Sequence, residues 1–276
     1  MTRHDPTYMM IQLLQLMIRE MEEALGTLYH WFTQNSMKLN SAKTQLLVLG
    51  SRQTLKQLPP VTLSVHGAII TESQRVKNLG LVLDKTLSFE NHIDQIVGKC
   101  TGQLLGLHHA RHRLPRDTLK PLVSSLVLSL LRYCITVYGS CSAQRMHRIQ
   151  KVINFGARVV TGRRKHDRIS DAVHDLGWLP ARELGTYHSL CLLKRVLLTG
   201  EPAGLKRQLL ARRDLRDRTT RQDRNLSLPR IRTETGKRSF LYRAVSAYNR
   251  LPQAARDGSL ARFKRSLKTK MLSGGL

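Results

Sequence analysis

The chain has 276 residues, and with 41% of them hydrophobic it can bury a large core in one or two domains. It carries 46 Lys and Arg against 19 Asp and Glu, a net charge of +27, and the excess is uneven: residues 1–100 hold 10 basic and 8 acidic side chains, whereas residues 101–276 hold 36 and 11. A field of that sign selects a polyanion, with nucleic-acid backbone the first candidate because each neutralised phosphate releases counterions. A membrane is the rival partner, but the most apolar stretch, residues 119–138, is split by Arg132 and too short to span. Residues 1–20 lack the basic-then-apolar order of a secretory signal. Cys100, Cys134, Cys141 and Cys191 are scattered without a C-x-x-C, which fits reduced intracellular thiols and gives no zinc knuckle.

In chain order, Asp5-Pro6 predicts a helix start, with Asp as N-cap and Pro at the first helical position. Behind it Met10, Leu14, Met17, Met21, Ala24, Leu28 and Trp31 recur at alternating spacings of four and three. That stripe suits a short coiled coil or a helix packed on a sheet. The latter is favoured because Phe32 broadens the stripe and Glu20, Glu22 and Glu23 sit on the other side. A polar turn over residues 37–44 leads to a buried strand over 45–49. Val61 to Val65, His66-Gly67 and Ala68 to Thr71 read as a hairpin, and residues 76–83, with Gly80 inside, as one further strand. The fold class is therefore α+β: a small, mostly antiparallel sheet with a packed helix, followed by a mainly α-helical remainder.

The helical part opens at Ser88 as N-cap, with Ile93, Ile96, Val97, Cys100, Leu104 and Leu107 at helical spacing. Residues 116–138 are nearly all apolar and predict the central helix, broken at Gly139-Ser140. In residues 143–161, Met146, Ile149, Ile153, Gly156, Ala157 and Val160 fill one arc of a helical wheel, with Arg145, Arg148, Lys151 and Arg158 opposite. Those four cations either grip phosphates or form a solvated face; the pattern alone supports both equally. Gly162 ends the helix, residues 169–176 form a short one, Gly177-Trp178-Leu179-Pro180 a turn with a buried indole, and 182–198 another helix. Residues 204–238 hold 12 basic and 4 acidic side chains, among them Arg216, Arg218, Arg221 and Arg224, and predict a poorly packed basic arm that binds nucleic acid. Phe240, Tyr242, Val245 and Tyr248 begin a helix stopped at Leu251-Pro252, and residues 260–271 form a last, strongly basic one. The domain boundaries follow as 1–87, 88–203, 204–238 and 239–276.

No self-contained catalytic centre is visible. Two-metal nucleotidyl transfer needs clustered carboxylates, and the only adjacent acidic pair is Glu22-Glu23 on a helix. Gly98-Lys99-Cys100-Thr101 lacks the upstream glycine of a phosphate loop, and Gly139 to Ala143 lacks the second glycine of a nucleophile elbow. His108 and His112 have metal-ligand spacing, but Arg111 and Arg113 among them favour a surface basic cluster.

Several phrases in order carry a family resemblance. Trp31, Asn35, Lys38-Leu39-Asn40 and Lys43-Thr44 resemble the helix and turn after the catalytic aspartates in the palm of non-LTR, LINE-type retrotransposon reverse transcriptases of the jockey-like branch. Val76-Lys77-Asn78-Leu79-Gly80 with Asp84, Leu87-Ser88-Phe89 and His92-Ile93 resembles the passage from palm to thumb. Tyr133 with Gly139, then Gln150, Asn154, Ala157-Arg158, Leu176 to Pro180, Phe240, Asn249-Arg250-Leu251-Pro252 and Phe263-Lys264 resemble the helical C-terminal region. Asn78 replaces an aromatic, and Tyr138 and Tyr248 stand where Trp is common.

The resemblance implies a palm remnant over 1–87, a thumb-like region over 88–203, a basic arm and a C-terminal helical segment. It also implies RNA and DNA as partners, no membrane, and Lys38 and Lys43 among the nucleic-acid contacts. The aromatic-x-Asp-Asp motif would lie upstream of Met1, so the catalytic Mg would belong to a site outside the chain. No cofactor or catalytic residue is expected within it, and the chain alone should be inactive as an RNA-directed DNA polymerase. It would work with the missing upstream parts, in the nucleus or in a cytoplasmic ribonucleoprotein. The alternative is a stand-alone basic nucleic-acid-binding or scaffold protein derived from such an element.

Overall fold

The structure is a computed structural model that describes residues 6–209 and 225–274. The chain divides into two compact units, Met1–His92 and Ile93–Leu276. The α+β class holds: small antiparallel sheets occupy the first unit and helices the second.

In the first unit α1 (Pro6–Gln34) begins at the predicted proline; the proposed Asp5 cap lies outside the described residues. α1 packs on β1 (Thr62–Val65), which pairs antiparallel with β2 (Ala68–Thr71). The turn between them has φ 45° at His66 and 79° at Gly67. This is the double left-handed geometry that matches strand twist in a two-residue hairpin. The His66 ring stacks on Tyr29 of α1, with centroids 3.7 Å apart. Leu46, Val61, Leu63, Val65 and Ile70 form the core, with Leu14, Ile18 and Leu25 laid on it.

The packed face of α1 is therefore rotated from the expected stripe. Met17, Met21, Leu28 and Trp31 are exposed, while Glu22 Oε1 accepts a 2.6 Å hydrogen bond from the Ser64 N–H. The helix carries apolar residues on more than one face. Leu14, Ile18 and Leu25 turn onto the hairpin core, which brings Glu22 beside the exposed edge of β1.

Three strand expectations are corrected. Residues 45–49 make only an isolated parallel bridge, Leu46 to Glu72, beside the bond from Ser73 N–H to Leu46 O. Residues 76–83 are not one strand: β3 (Arg75–Asn78) and β4 (Leu81–Asp84) form a second hairpin. Its turn has φ 46° at Leu79 and 86° at Gly80, so the glycine marks a reversal and the apolar run is split across two strands. The two hairpins form separate two-stranded sheets, not one. A short α2 (Arg52–Gln57), capped by Ser51 Oγ on Thr54 N–H, precedes the first hairpin.

Asp84 governs the exit from β4. Its carboxylate accepts from Thr86 N–H and Oγ1, Ser88 N–H and Oγ, and Phe89 N–H. Ser88 Oγ in turn accepts from Glu90 N–H at 3.4 Å, so the expected serine cap is only one part of a larger arrangement.

α3 (Glu90–Ala110) continues into the second unit. The predicted single helix over 116–138 is segmented there. α4 (Arg116–Val123) contains Pro121, a π-turn occupies Ser124–Leu128, and α5 (Ser129–Arg132) ends at a break where Cys134 has φ 55° before α6 (Ile135–Tyr138). Pro121 lacks the N–H that would close the preceding turn, which favours widening of the helix just beyond it. The buried Tyr138 hydroxyl donates to Leu131 O across the break, satisfying a carbonyl the helix no longer uses.

α7 (Ala143–Thr161), α8 (Ser170–Asp175) and α9 (Ala181–Thr199) match the expected spans closely. α10 (Ala203–Arg207) and α11 (Glu234–Lys237) are short. α12 (Phe240–Arg250), α13 (Gln253–Arg256) and α14 (Leu260–Leu272) complete the unit. α9 is its centre: it packs on α6, α7, α12 and α14, with Leu190, Leu193 and Val196 fully buried. The α6 to α9 approach passes at Gly139, where a Cβ would lie 2.4 Å from Ile135 O and 3.5 Å from Gly185 Cα. Trp178 is buried as expected. Of the segment predicted to be a poorly packed arm, residues 210–224 lie outside the described residues, and 204–209 and 225–238 are described. Leu209 and Leu226 are buried, and the Leu226 N–H and C=O both bond to the Asn249 amide.

Candidate nucleic-acid interface

The predicted contacts fall into three groups. Lys38 and Lys43 are exposed in the loop after α1, where Asn40 Oδ1 accepts from the Lys43 N–H at 3.2 Å and so shapes the turn. Arg216, Arg218, Arg221 and Arg224 lie outside the described residues. The remaining four are on α7.

On α7 burial extends beyond the predicted arc, because Val152 and Val159 are buried as well. Arg148 forms an ion pair with Asp94 of α3. Arg158 donates from Nε to Arg164 O at 3.2 Å and from a terminal nitrogen to Asp167 O at 3.4 Å, and so ties down the loop after the helix. Arg145 reaches Ser142 Oγ at 3.5 Å, beside the bond that caps the helix. Lys151 is exposed. The four cations thus border the helix's buried face, and three of them make intramolecular contacts.

Other basic residues are also structural. Arg256 donates to Leu251 O, Asn225 Oδ1 and Asn249 O and lies over the Tyr248 ring. Arg243 donates to Arg238 O and Thr136 O. The buried Lys194 donates to Arg256 O at 2.7 Å. Part of the positive charge is consumed in holding the second unit together.

α14 behaves differently. Phe263, Leu267 and Met271 are buried at spacings of four, while Arg262, Lys264, Arg265, Lys268 and Lys270 share the helix with no acidic residue. Among the described residues none of these five makes an ion pair. Arg262, Arg265 and Lys270 line a shallow surface with the hydroxyls of Ser259, Ser266 and Thr269. A row of cations interleaved with hydroxyl groups is the chemistry that contacts phosphate oxygens. The sequence showed the charge of this helix. What would have singled it out is the lack of any carboxylate on it.

His108 bonds to Arg111, with Nδ1 3.2 Å from the guanidinium, and Arg111 Nε approaches His112 Nε2 at 3.4 Å. The histidines therefore form a basic cluster with Arg111, and among the described residues no three His, Cys, Asp or Glu side chains are placed to share a metal. No helix among the described residues is long and apolar enough to cross a membrane.

No protein-family model matches the chain, and no solved structure matches it significantly. Two relatives do. The chain is 29% identical over 148 residues, 52% of its length, to the "Probable RNA-directed DNA polymerase from transposon BS" of Drosophila melanogaster. It is 23% identical over 159 residues, 56% of its length, to the "RNA-directed DNA polymerase from mobile element jockey" of Drosophila funebris. The matched parts cover 16% and 17% of those proteins, so the chain spans only about a sixth of their length. Over about half of its length, the chain is thus related to one region of non-LTR retrotransposon reverse transcriptases of the BS and jockey type.

Proposed function

We infer that the chain is a nucleic-acid-binding fragment of a reverse transcriptase, gripping template and primer backbones without itself polymerising. The observation that carries this is the unbalanced charge: residues 101–276 hold 36 basic against 11 acidic side chains, and Lys151 with Arg262, Lys264, Arg265 and Lys268 of α14 remains exposed. The relatives, named as RNA-directed DNA polymerases, supply the class of polymer. Catalysis is left out because two-metal transfer needs paired carboxylates. The only adjacent pair in the chain, Glu22-Glu23, has Glu22 engaged by the Ser64 N–H.

The test is a titration of a labelled duplex and a labelled RNA–DNA hybrid over a series of salt concentrations, beside a primer-extension assay. Affinity should fall steeply with salt, and Arg262→Ala with Arg265→Ala should flatten the log–log slope by about 0.9 per lost phosphate contact. Arg148→Ala should change it less, since that side chain already has Asp94 as partner. Salt-independent affinity would refute the binding reading, and metal-dependent primer extension above a no-protein control would refute the exclusion of catalysis.

A further inference from the structure

A cleft in the second unit has no lining residue on α7 and shares only Lys268 with the basic row of α14. It has a volume of about 270 Å³ and is bordered by Arg132 at the end of α5, Tyr187 and His188 on α9, and Lys268 on α14. Leu179 and Leu184 give it an apolar wall, and among the described residues no carboxylate lines it. Gly177, with φ 67°, closes one side; a Cβ there would lie 3.9 Å from Lys268 Nζ, so the ammonium sits directly over the turn.

The imidazole at the cleft lies in the field of its cations. His188 is pushed below its ordinary pKa by burial and by the nearby Arg132 and Lys264. Burial, and after it the neighbouring Cys191 thiol with which it shares a hydrogen bond, push the Tyr187 phenol up to about 12, partly opposed by Arg132, so it is a neutral O–H that an anion would have to draw from Cys191. Among the described residues neither Arg132, Lys264 nor Lys268 has a carboxylate partner. Arg132 and Lys268 come from separate helices to the rim of a concave site, exposed to solvent and, among the described residues, without a counter-charge, so an anion entering the cleft would meet both. Their donors suit a tetrahedral oxyanion: a planar guanidinium, a mobile ammonium and a neutral hydroxyl.

We propose that the cleft between α5, α9 and α14 is a phosphate pocket, with Arg132 and Lys268 supplying charge and the Tyr187 hydroxyl a neutral donor. The ligand is a phosphate group, either one on a bound nucleic-acid strand or free inorganic phosphate. The first source rests on the nucleic-acid reading above; the second does not.

The experiment uses the full chain at low ionic strength, titrated calorimetrically with inorganic phosphate and, separately, with the labelled duplex. Arg132→Gln with Lys268→Gln is compared with Lys206→Gln with Arg207→Gln, which removes the same charge from the exposed α10. The wild type should bind phosphate saturably, the cleft variant about tenfold more weakly, and the α10 variant within about twofold of wild type. If the cleft variant also loses duplex affinity beyond the α10 variant, the ligand is a strand phosphate. If it loses only inorganic phosphate, the ligand is the free anion. Lysine acetylation of the wild type gives a readout that needs no variant to fold: phosphate should protect Lys268 and leave Lys206 reactive. Absence of saturable phosphate binding, equal weakening in both variants, or unchanged Lys268 reactivity would overturn the proposal. A duplex that fails to bind the wild type would refute the broader function while the phosphate titration still judges the pocket.

Discussion

Removing the Asp84 carboxylate should loosen the turn that delivers the chain into α3. Oδ1 accepts from Thr86 N–H at 3.1 Å, Thr86 Oγ1 at 2.8 Å and Ser88 N–H at 2.9 Å; Oδ2 accepts from Ser88 Oγ at 3.1 Å and Phe89 N–H at 2.7 Å. The two hydroxyls can turn to solvent, whereas the three amides are fixed. Hydrogen bonds to a charged acceptor contribute about 1.5–3 kcal/mol each, and water at this half-buried site recovers much of that, leaving about 3 kcal/mol for Asp84→Ala. Phe89 is held at φ 58°, a conformation costing about 1 kcal/mol that it should abandon once its N–H is released.

Asp84→Asn keeps one carbonyl oxygen for Thr86 and Ser88 but turns an NH₂ toward the Phe89 N–H, so about 1–2 kcal/mol is expected. Burial alone would raise the Asp84 pKa, but the bonds from Ser88, Thr86 and Phe89 outweigh it and hold the group below 3.8. A carboxyl with a depressed folded-state pKa contributes stability that is present above the unfolded value and lost as pH falls through the folded one. Wild type should therefore lose this stabilisation in the acid range below 3.8, and Asp84→Asn should lack that part of the pH dependence. Hydrogen exchange of the amides at 86, 88 and 89 reads the turn directly, with urea unfolding for the total. Unchanged protection in Asp84→Ala, or wild-type stability of Asp84→Asn at neutral pH, would refute the reasoning.

Gly139→Ala places a Cβ 2.4 Å from Ile135 O of α6 itself, while Gly185 Cα on α9 stays at an ordinary 3.5 Å, so the last turn of α6 must shift, and urea unfolding should show a loss of about 1–3 kcal/mol. Gly162→Ala, in open space but at φ 73°, should cost only about 1 kcal/mol by the same measurement. Ile149 is fully buried on α7, and Ile149→Ala should cost about 2–5 kcal/mol, whereas Lys151→Ala should leave stability within about 0.5 kcal/mol of wild type. On α1, Leu13 is 59% and Met17 57% exposed; replacing both by Gln should reduce self-association in light scattering without lowering stability, because contiguous exposed apolar surface drives association.

The relation between sequence and structure differs between the two units. In the second, long periodic segments such as 143–161 and 260–271 carried their own boundaries: Ser142 and Ser259 cap, and Gly162 terminates, through bonds that span a few residues. Local chemistry decides such ends, so they are legible without a fold. The hairpin at His66-Gly67 was legible for the same reason, whereas the one at Leu79-Gly80 was hidden inside an apolar run. The phase of α1 was set by the sheet: the helix offers two apolar faces, and the one with Leu14, Ile18 and Leu25 packs on the hairpin, which brings Glu22 to the Ser64 N–H 42 positions away. Charge shows the same division. Its sum and its bias toward residues 101–276 are properties of the sequence alone. Which cations are spent on Asp94, on the carbonyls of Arg164 and Asp167, or on the Tyr248 ring, and which converge on a cleft without a counter-ion, depends on distances between helices. Only tertiary packing decides these, because a guanidinium's availability to a ligand is set by the acceptors within reach.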